Sequence, residues 1–362
     1  MTEANSLRET VRARLQQVPI PDLPELTCAH ALVDAQAVGT ALQVQLDFGY
    51  PCGERAEAIT AQIRELFRAE YPIVDVQIHW HAAKVATINN QNTVAGVRNI
   101  VAVASGKGGV GKSTTAVNIA LSLAATGARV GILDADIYGP SQALMLGVAD
   151  RRPEMHSPNK MKPIQAHGVQ MISMGNLVTE STPVVWRGPM VSGALQQLLN
   201  QTQWDEVDYL IVDMPPGTGD IQLTLSQAVP VSGAVIVTTP QDIALLDARK
   251  GIEMFRKVNI PVLGVVENMS LHVCSNCGHE EAIFGTAGGE RLAAQYQVEL
   301  LGRLPLQMSI CEQTDSGNPP VVAEPASPIA EKYRAIALKI AALLWQKSLS
   351  GAAAPTISIS DD

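Results

Sequence analysis

From about residue 97 the chain repeats a two-part pattern. Short apolar runs such as Ile100-Val101-Ala102-Val103-Ala104 and Tyr209-Leu210-Ile211-Val212 alternate with longer stretches of mixed polarity. Runs of that length without polar interruption suit strands buried on both faces. Strands are predicted at 99–105, 129–134, 169–174, 209–213, 233–239 and 262–268, with helical or mixed stretches between them, the first helix at 115–125. This alternation predicts right-handed βαβ crossovers and a mostly parallel sheet flanked by helices. Ligands on such sheets bind at the carboxyl ends of the strands.

The first 82 residues read differently. Leu42, Val44, Leu46 and Phe48 alternate with polar neighbours, as do Val74, Val76, Ile78 and Trp80, so both stretches predict half-buried strands. Helices are expected at 6–17 and at 54–68, where Ile59, Ile63, Leu66 and Phe67 fall at core spacing. A small α+β domain is therefore expected at 1–82. An amide-rich linker follows at 83–96, then an α/β domain at 97–347 ending in a helix at 329–347, and a disordered tail at 348–362.

The first predicted strand of the α/β domain runs into Ser105-Gly106-Lys107-Gly108-Gly109-Val110-Gly111-Lys112-Ser113-Thr114, which fits the phosphate-binding P-loop. The glycines let successive backbone N–H groups turn towards phosphate oxygens, and the following helix adds positive potential at its N-terminus. Lys112 is expected on the β- and γ-phosphates and the Ser113 hydroxyl on Mg²⁺. Lys107 sits early in the loop, where a side chain points away from its own subunit's phosphates. It is assigned to a nucleotide in a facing subunit, in the manner of an arginine finger, which requires a dimer.

Carboxylates mark two further strand ends. In Leu133-Asp134-Ala135-Asp136, Asp136 is expected to orient the attacking water and Asp134 to support the Mg²⁺ shell. Asp213 closes an apolar strand, where a P-loop fold places the carboxylate that holds Mg²⁺ directly or through water. The segment after it, Met214-Pro215-Pro216-Gly217-Thr218-Gly219, reads as a switch whose Gly217 and Gly219 N–H groups contact the γ-phosphate.

Cys274-Ser275-Asn276-Cys277 is the second chemical signal. C-x-x-C sets two thiolates on one tight turn, yet iron–sulfur clusters and structural zinc normally take four ligands. No other C-x-x-C occurs. Three readings stand: a [4Fe–4S] cluster bridged between two subunits, a structural zinc knuckle, and a dithiol redox pair. His272 and His279 read as loop residues, and Cys28, Cys52 and Cys311 as isolated small residues.

Composition narrows the setting. The net charge of -9 argues against broad nucleic-acid binding. No run of about 18 apolar residues predicts a membrane span. The first 20 residues lack the apolar core of a secretion signal, and five sparse cysteines suit a reducing cytoplasm.

Together the P-loop with Lys107, Leu-Asp-Ala-Asp-Ile-Tyr-Gly-Pro, Trp186-Arg187-Gly188-Pro189-Met190, Asp-Met-Pro-Pro-Gly-Thr-Gly-Asp, and Glu267-Asn268-Met269-Ser270 followed by Cys-x-x-Cys resemble the Mrp/ApbC family. These are iron–sulfur cluster carriers among the deviant P-loop ATPases of the MinD/ParA group. The resemblance spans about 97–345. It implies a homodimer that binds ATP with Mg²⁺, hydrolyses it slowly, holds a labile cluster between subunits and passes it to apo-proteins, with cluster scaffold proteins as further partners. It makes Lys107 the signature lysine, places Asn268 beside adenine and makes Cys274 and Cys277 the cluster ligands. The N-terminal domain resembles the MIP18-like (DUF59) domain. Two other readings share the P-loop: a ParA/MinD-like positioning ATPase on DNA or membrane, and a Get3-like targeting ATPase with structural zinc. The last helix has few cations and an acidic tail beyond it, against the first; the methionines of 145–190 lack helical spacing, against the second.

Overall fold

A computed structural model describes residues 3–21, 23–53, 55–86, 93–157, 159–173, 175, 188–274 and 276–351. The chain forms two compact units, Met1–Val85 with Leu338–Asp362, and Ala86–Ala337.

In the first unit, α1 (Glu3–Leu15) leads to a short antiparallel pair, β1 (Pro19–Ile20) and β2 (Leu23–Thr27). Then come β3 (Leu32–Val38), β4 (Ala41–Phe48), α2 (Arg55–Phe67) and β5 (Ile73–Trp80). Strand β4 is central, antiparallel to β3 and parallel to β5. Its alternation is realised: Leu42, Val44, Leu46 and Phe48 are buried while Gln43 and Gln45 are exposed. Strand β3 has no sequence counterpart among the predicted elements. It buries only Leu32 and Ala35, and a register shift between Leu32 and Asp34 breaks any period of two.

The second unit runs β6 (Val97–Ala104), α3 (Lys112–Ala125), β7 (Val130–Asp134), α4 (Gln142–Met145), β8 (Met155–Ser157), β9 (Lys160–Met161), β10 (Ile164–Ala166), β11 (Val169–Ser173), α5 (Gly188–Gln201) and β12 (Val207–Asp213). It continues with α6 (Asp220–Ala228), β13 (Gly233–Thr238), α7 (Asp242–Lys257), β14 (Val262–Glu267), β15 (His272–Val273), β16 (Glu280–Glu281), α8 (Gly288–Tyr296), β17 (Glu299–Arg303), α9 (Met308–Asp315) and α10 (Pro320–Ala323). Eight strands form one sheet in the order β10-β11-β7-β12-β6-β13-β14-β17. All neighbours are parallel except the edge strand β10. The central β12 is buried throughout, as its unbroken apolar run requires. All six predicted strands exist; the edge strands β10 and β17 are additional.

The last helix, α11 (Pro328–Gly351), runs four residues past the predicted end at 347, into the stretch expected to be tail. Residues 352–362 lie outside the described residues, as do 87–92 of the expected linker. From Leu338 the helix belongs to the first unit, so the α/β domain does not extend to 347 as one block. The reason is aromatic. The Trp345 ring stacks on Tyr50 at 5.6 Å and meets Phe48 edge-on at 5.7 Å. A Cβ on Gly49 would lie 2.0 Å from Trp345 Cδ1, so the glycine is what admits the indole.

Candidate nucleotide site and cysteine hairpin

Parallel pairing brings the predicted site residues to one edge of the sheet. Asp213 pairs in register with Asp134 across β12 and β7, and with Val103 across β12 and β6, one residue before the P-loop strand ends. The loop 105–111 then enters α3. Three of its four glycines are required by backbone conformation or close neighbours. Gly109 and Gly111 both have φ of 79°, a left-handed backbone that side chains disfavour. A Cβ on Gly106 would lie 2.2 Å from the Asp247 carbonyl carbon of α7, and one on Gly111 would lie 2.1 Å from Asn268 Nδ2. Gly108 has open space at its Cβ. Thr114 lies in the first turn of α3, where its carbonyl accepts from Asn118 Nδ2 at 2.8 Å.

Lys112 is buried and ion-pairs with Asp213 Oδ1. Its Nζ also lies 3.1 Å from Ser113 Oγ and 3.8 Å from Asp136 Oδ2. Asp136 accepts from the Gly139 N–H at 3.2 Å; burial raises its pKa, and the Lys112 ammonium pulls it back. Asp134, expected beside the metal, has a different set of contacts. It is wholly buried, and its oxygens accept from the N–H groups of Asp136, Ser141 and Gln142 and from Ser173 Oγ, all at 3.0–3.2 Å. Burial, with the Asp213 charge adding to it, pushes its pKa up to about 7. Asp134 thus pins the β7–α4 loop behind the site, where its oxygens are already taken.

Gly217 has φ of 103° and donates its N–H to the Ser105 carbonyl at 3.0 Å, so the Pro215–Gly219 segment is docked on the P-loop. The Pro215 carbonyl accepts from Gln222 Nε2 at 2.8 Å, and Pro216 precedes the turn. Gly219 caps α6 in extended conformation. The Lys107 carbonyl accepts from Ser105 Oγ at 2.9 Å, and no described residue pairs with its ammonium. Trp186 and Arg187 lie outside the described residues.

Asn268 reaches the P-loop itself. Its Nδ2 donates to the Val110 carbonyl at 2.8 Å, and its N–H to Thr238 at 2.7 Å. Adenine, the expected partner, would find this donor already engaged. Buried Gln142 lies outside every motif, and Glu267 opens the Glu-Asn-Met-Ser motif without a predicted role of its own. Gln142 lies between Asp213 and Ser113, as detailed below. Glu267, at the end of β14, accepts from Ser270 Oγ and the Gly289 N–H and lies 3.6 Å from Arg303 Nε.

The cysteine pair lies six residues beyond Asn268, on the hairpin of β15 and β16. The Cys274 N–H donates to the His279 carbonyl at 2.9 Å, and the Gly278 N–H to the Cys274 carbonyl at 2.8 Å, with Gly278 at φ of 72°. Cys277 is exposed and Cys274 half-exposed. Backbone N–H groups of Asn276 and Cys277 point at Cys274 sulfur and lower its pKa, and the Cys277 thiol adds to this. That is the polarity a thiolate ligand needs. Among the described residues no third His, Cys, Asp or Glu joins the pair to make a metal site.

A family model described as ParA, NUBPL iron-transfer P-loop NTPase, matches residues 96–341. An iron–sulfur cluster carrier protein of Pseudomonas fragi is 67% identical over 246 residues, 68% of this chain and 86% of that protein. The iron–sulfur cluster carrier protein of Escherichia coli is 51% identical over 345 residues, 94% of each chain. A nucleotide-binding protein from Archaeoglobus fulgidus, solved with ADP, superposes with a TM-score of 0.57 at 34% identity, covering 66% of this chain and 92% of its own. By the extent of these matches, the chain belongs to the ParA-type NUBPL iron-transfer P-loop NTPases.

Proposed function

We propose that this chain binds and slowly hydrolyses ATP and carries a [4Fe–4S] cluster, bridged between two copies of itself, for delivery to apo-proteins. The observation that carries the reading is one continuous segment: Asn268 touches the P-loop, and the strand it ends runs on into the cysteine hairpin. The names of the relatives, carriers of iron–sulfur clusters, support the cargo.

In the nucleotide half, the Lys112 ammonium passes from Asp213 to the β- and γ-phosphate oxygens, where it offsets charge developing in the transition state. Asp136 faces the same ammonium and orients the attacking water. Gly217 exchanges the Ser105 carbonyl for the γ-phosphate, so the switch responds to that phosphate. Lys107 reaches the nucleotide of the facing copy. The oxygens around Lys112 Nζ, from Ser113 and Asp213, are hard donors of the kind Mg²⁺ takes, and Mg²⁺ held there would neutralise the β- and γ-oxygens.

In the cysteine half, one chain offers two thiolates to a cargo that takes four. A two-fold dimer sets Cys274 and Cys277 against their copies and completes the set. The client apo-proteins, and any scaffold that loads the cluster, then meet an exposed hairpin. Among the described residues no helix is long and apolar enough to cross a membrane. The sparse, unpaired cysteines favour a carrier that works in a reducing cytoplasm.

The test is transfer. Cluster-loaded protein prepared without oxygen activates an apo-enzyme, whereas Cys274→Ala and Cys277→Ala variants bind nucleotide but neither hold nor transfer a cluster. Stoichiometric zinc with no transferable iron would contradict the reading and favour a targeting ATPase.

A further inference from the structure

Gln142 opens α4 and is wholly buried. Its Nε2 donates to Asp213 Oδ2 at 2.8 Å and to the Ser113 carbonyl at 3.0 Å, while its backbone N–H donates to Asp134 at 3.1 Å. One side chain therefore ties the end of β12, the start of α3 and the β7–α4 loop together. The carboxamide cannot be turned over. That would set Oε1 against a carbonyl and a carboxylate, both acceptors. Its Oε1 is shielded from solvent and has no donor among the described residues. A buried acceptor in so polar a place points to a missing donor.

Among the described residues the only charged partner of Asp213 Oδ1 is Lys112, and ATP draws that lysine away to phosphate. Something else must then keep the carboxylate aimed. We propose that Gln142 is a positioning residue of the nucleotide site. Its Nε2 holds Asp213 by Oδ2 so that Oδ1 stays turned to the metal side, and its Oε1 accepts a hydrogen bond from a water in the Mg²⁺ shell. The proposal rests on the NTPase reading above and adds to it a residue outside every motif. Partners of metal-site ligands at one remove commonly govern metal affinity in this way.

The experiment compares full-length wild type with Gln142→Leu, which keeps bulk and removes both polar arms, and with Gln142→Glu, which keeps an acceptor but sets a second carboxylate against Asp213. ATP binding is titrated with and without Mg²⁺, alongside steady-state hydrolysis and thermal unfolding. In Gln142→Leu the half-saturating Mg²⁺ concentration should rise about 10-fold and kcat fall about 10-fold. Metal-free ATP affinity should stay near wild type, while Tm falls by a few degrees because the Ser113 carbonyl and Asp213 Oδ2 lose a donor. Gln142→Glu should fare no better, because the donor arm is lost. Unchanged Mg²⁺ dependence in Gln142→Leu would overturn the proposal alone, as would a loss of metal-free binding that tracks a fall in Tm. A wild type that binds no MgATP would overturn the NTPase reading with it.

Discussion

Asn268 Nδ2 holds the Val110 carbonyl at 2.8 Å, fastening the end of β14 to the P-loop two residues before Lys112. The contact is tight enough that position 111 must be glycine. Nucleotide site and cysteine hairpin are thereby joined through one short, strained segment, with Met269 at φ of 53° and Ser270 bonded back to Glu267.

Asn268→Ala removes the donor and leaves a buried carbonyl unpaired, a cost of about 1–3 kcal/mol. Weaker ATP binding, by about 10-fold, and a lower unfolding midpoint should follow; isothermal titration and denaturant unfolding check both.

Lys112→Met should abolish hydrolysis and also destabilise the fold by about 3 kcal/mol, because Asp213 stays buried without its counter-ion. Adding Asp213→Asn should restore much of the stability and none of the activity. A double-mutant cycle on denaturation midpoints measures the coupling.

In the first unit, Gly49→Ala forces a methyl group against the Trp345 ring, which is itself packed on Tyr50 and Phe48. Such overpacking should cost about 2 kcal/mol. Tryptophan fluorescence during unfolding reports it.

The cysteines should differ in reactivity. Backbone N–H groups lower the pKa of Cys274, whereas the Asp315 carboxylate, which accepts from the Cys311 thiol, raises that of Cys311. A lower pKa means more thiolate at neutral pH, and this outweighs the accompanying loss of nucleophilicity. In metal-free protein, alkylation at pH 7 should therefore be faster at Cys274 than at Cys311. The gap should narrow as pH climbs past the ordinary thiol range and both ionise. Mass spectrometry of timed samples separates the two sites.

Much of this was legible in the chain. The runs at 100–104 and 209–212 announce buried strands because a strand covered on both faces has no polar side, and the P-loop glycines announce a backbone that must curl. The carboxylates Asp136 and Asp213 stand at strand ends, and parallel pairing brings strand ends together. What escaped depends on pairing over distance. Asp134 looks like Asp136 in sequence, yet four protein donors claim its oxygens. Gln142 carries no motif and Glu267 stands in one without a predicted role, since the partners that matter, Asp213 and Ser113 for one and Gly289 for the other, come from other elements. Strand β17 is short, with Gly302 kept free of side chain by Ile336, 2.6 Å from where a Cβ would stand. The shift of α11 to the first unit hangs on Gly49 and Trp345, nearly three hundred residues apart.

The central claim is that two chains share one cluster through Cys274 and Cys277. Native mass spectrometry of anaerobically reconstituted protein, with iron and sulfide counted on the same sample, tests it directly. The account predicts a dimer carrying about four iron and four sulfide, and an iron-free protein when either cysteine is alanine. A cluster retained on monomers, or on the Cys274→Ala variant, would contradict it.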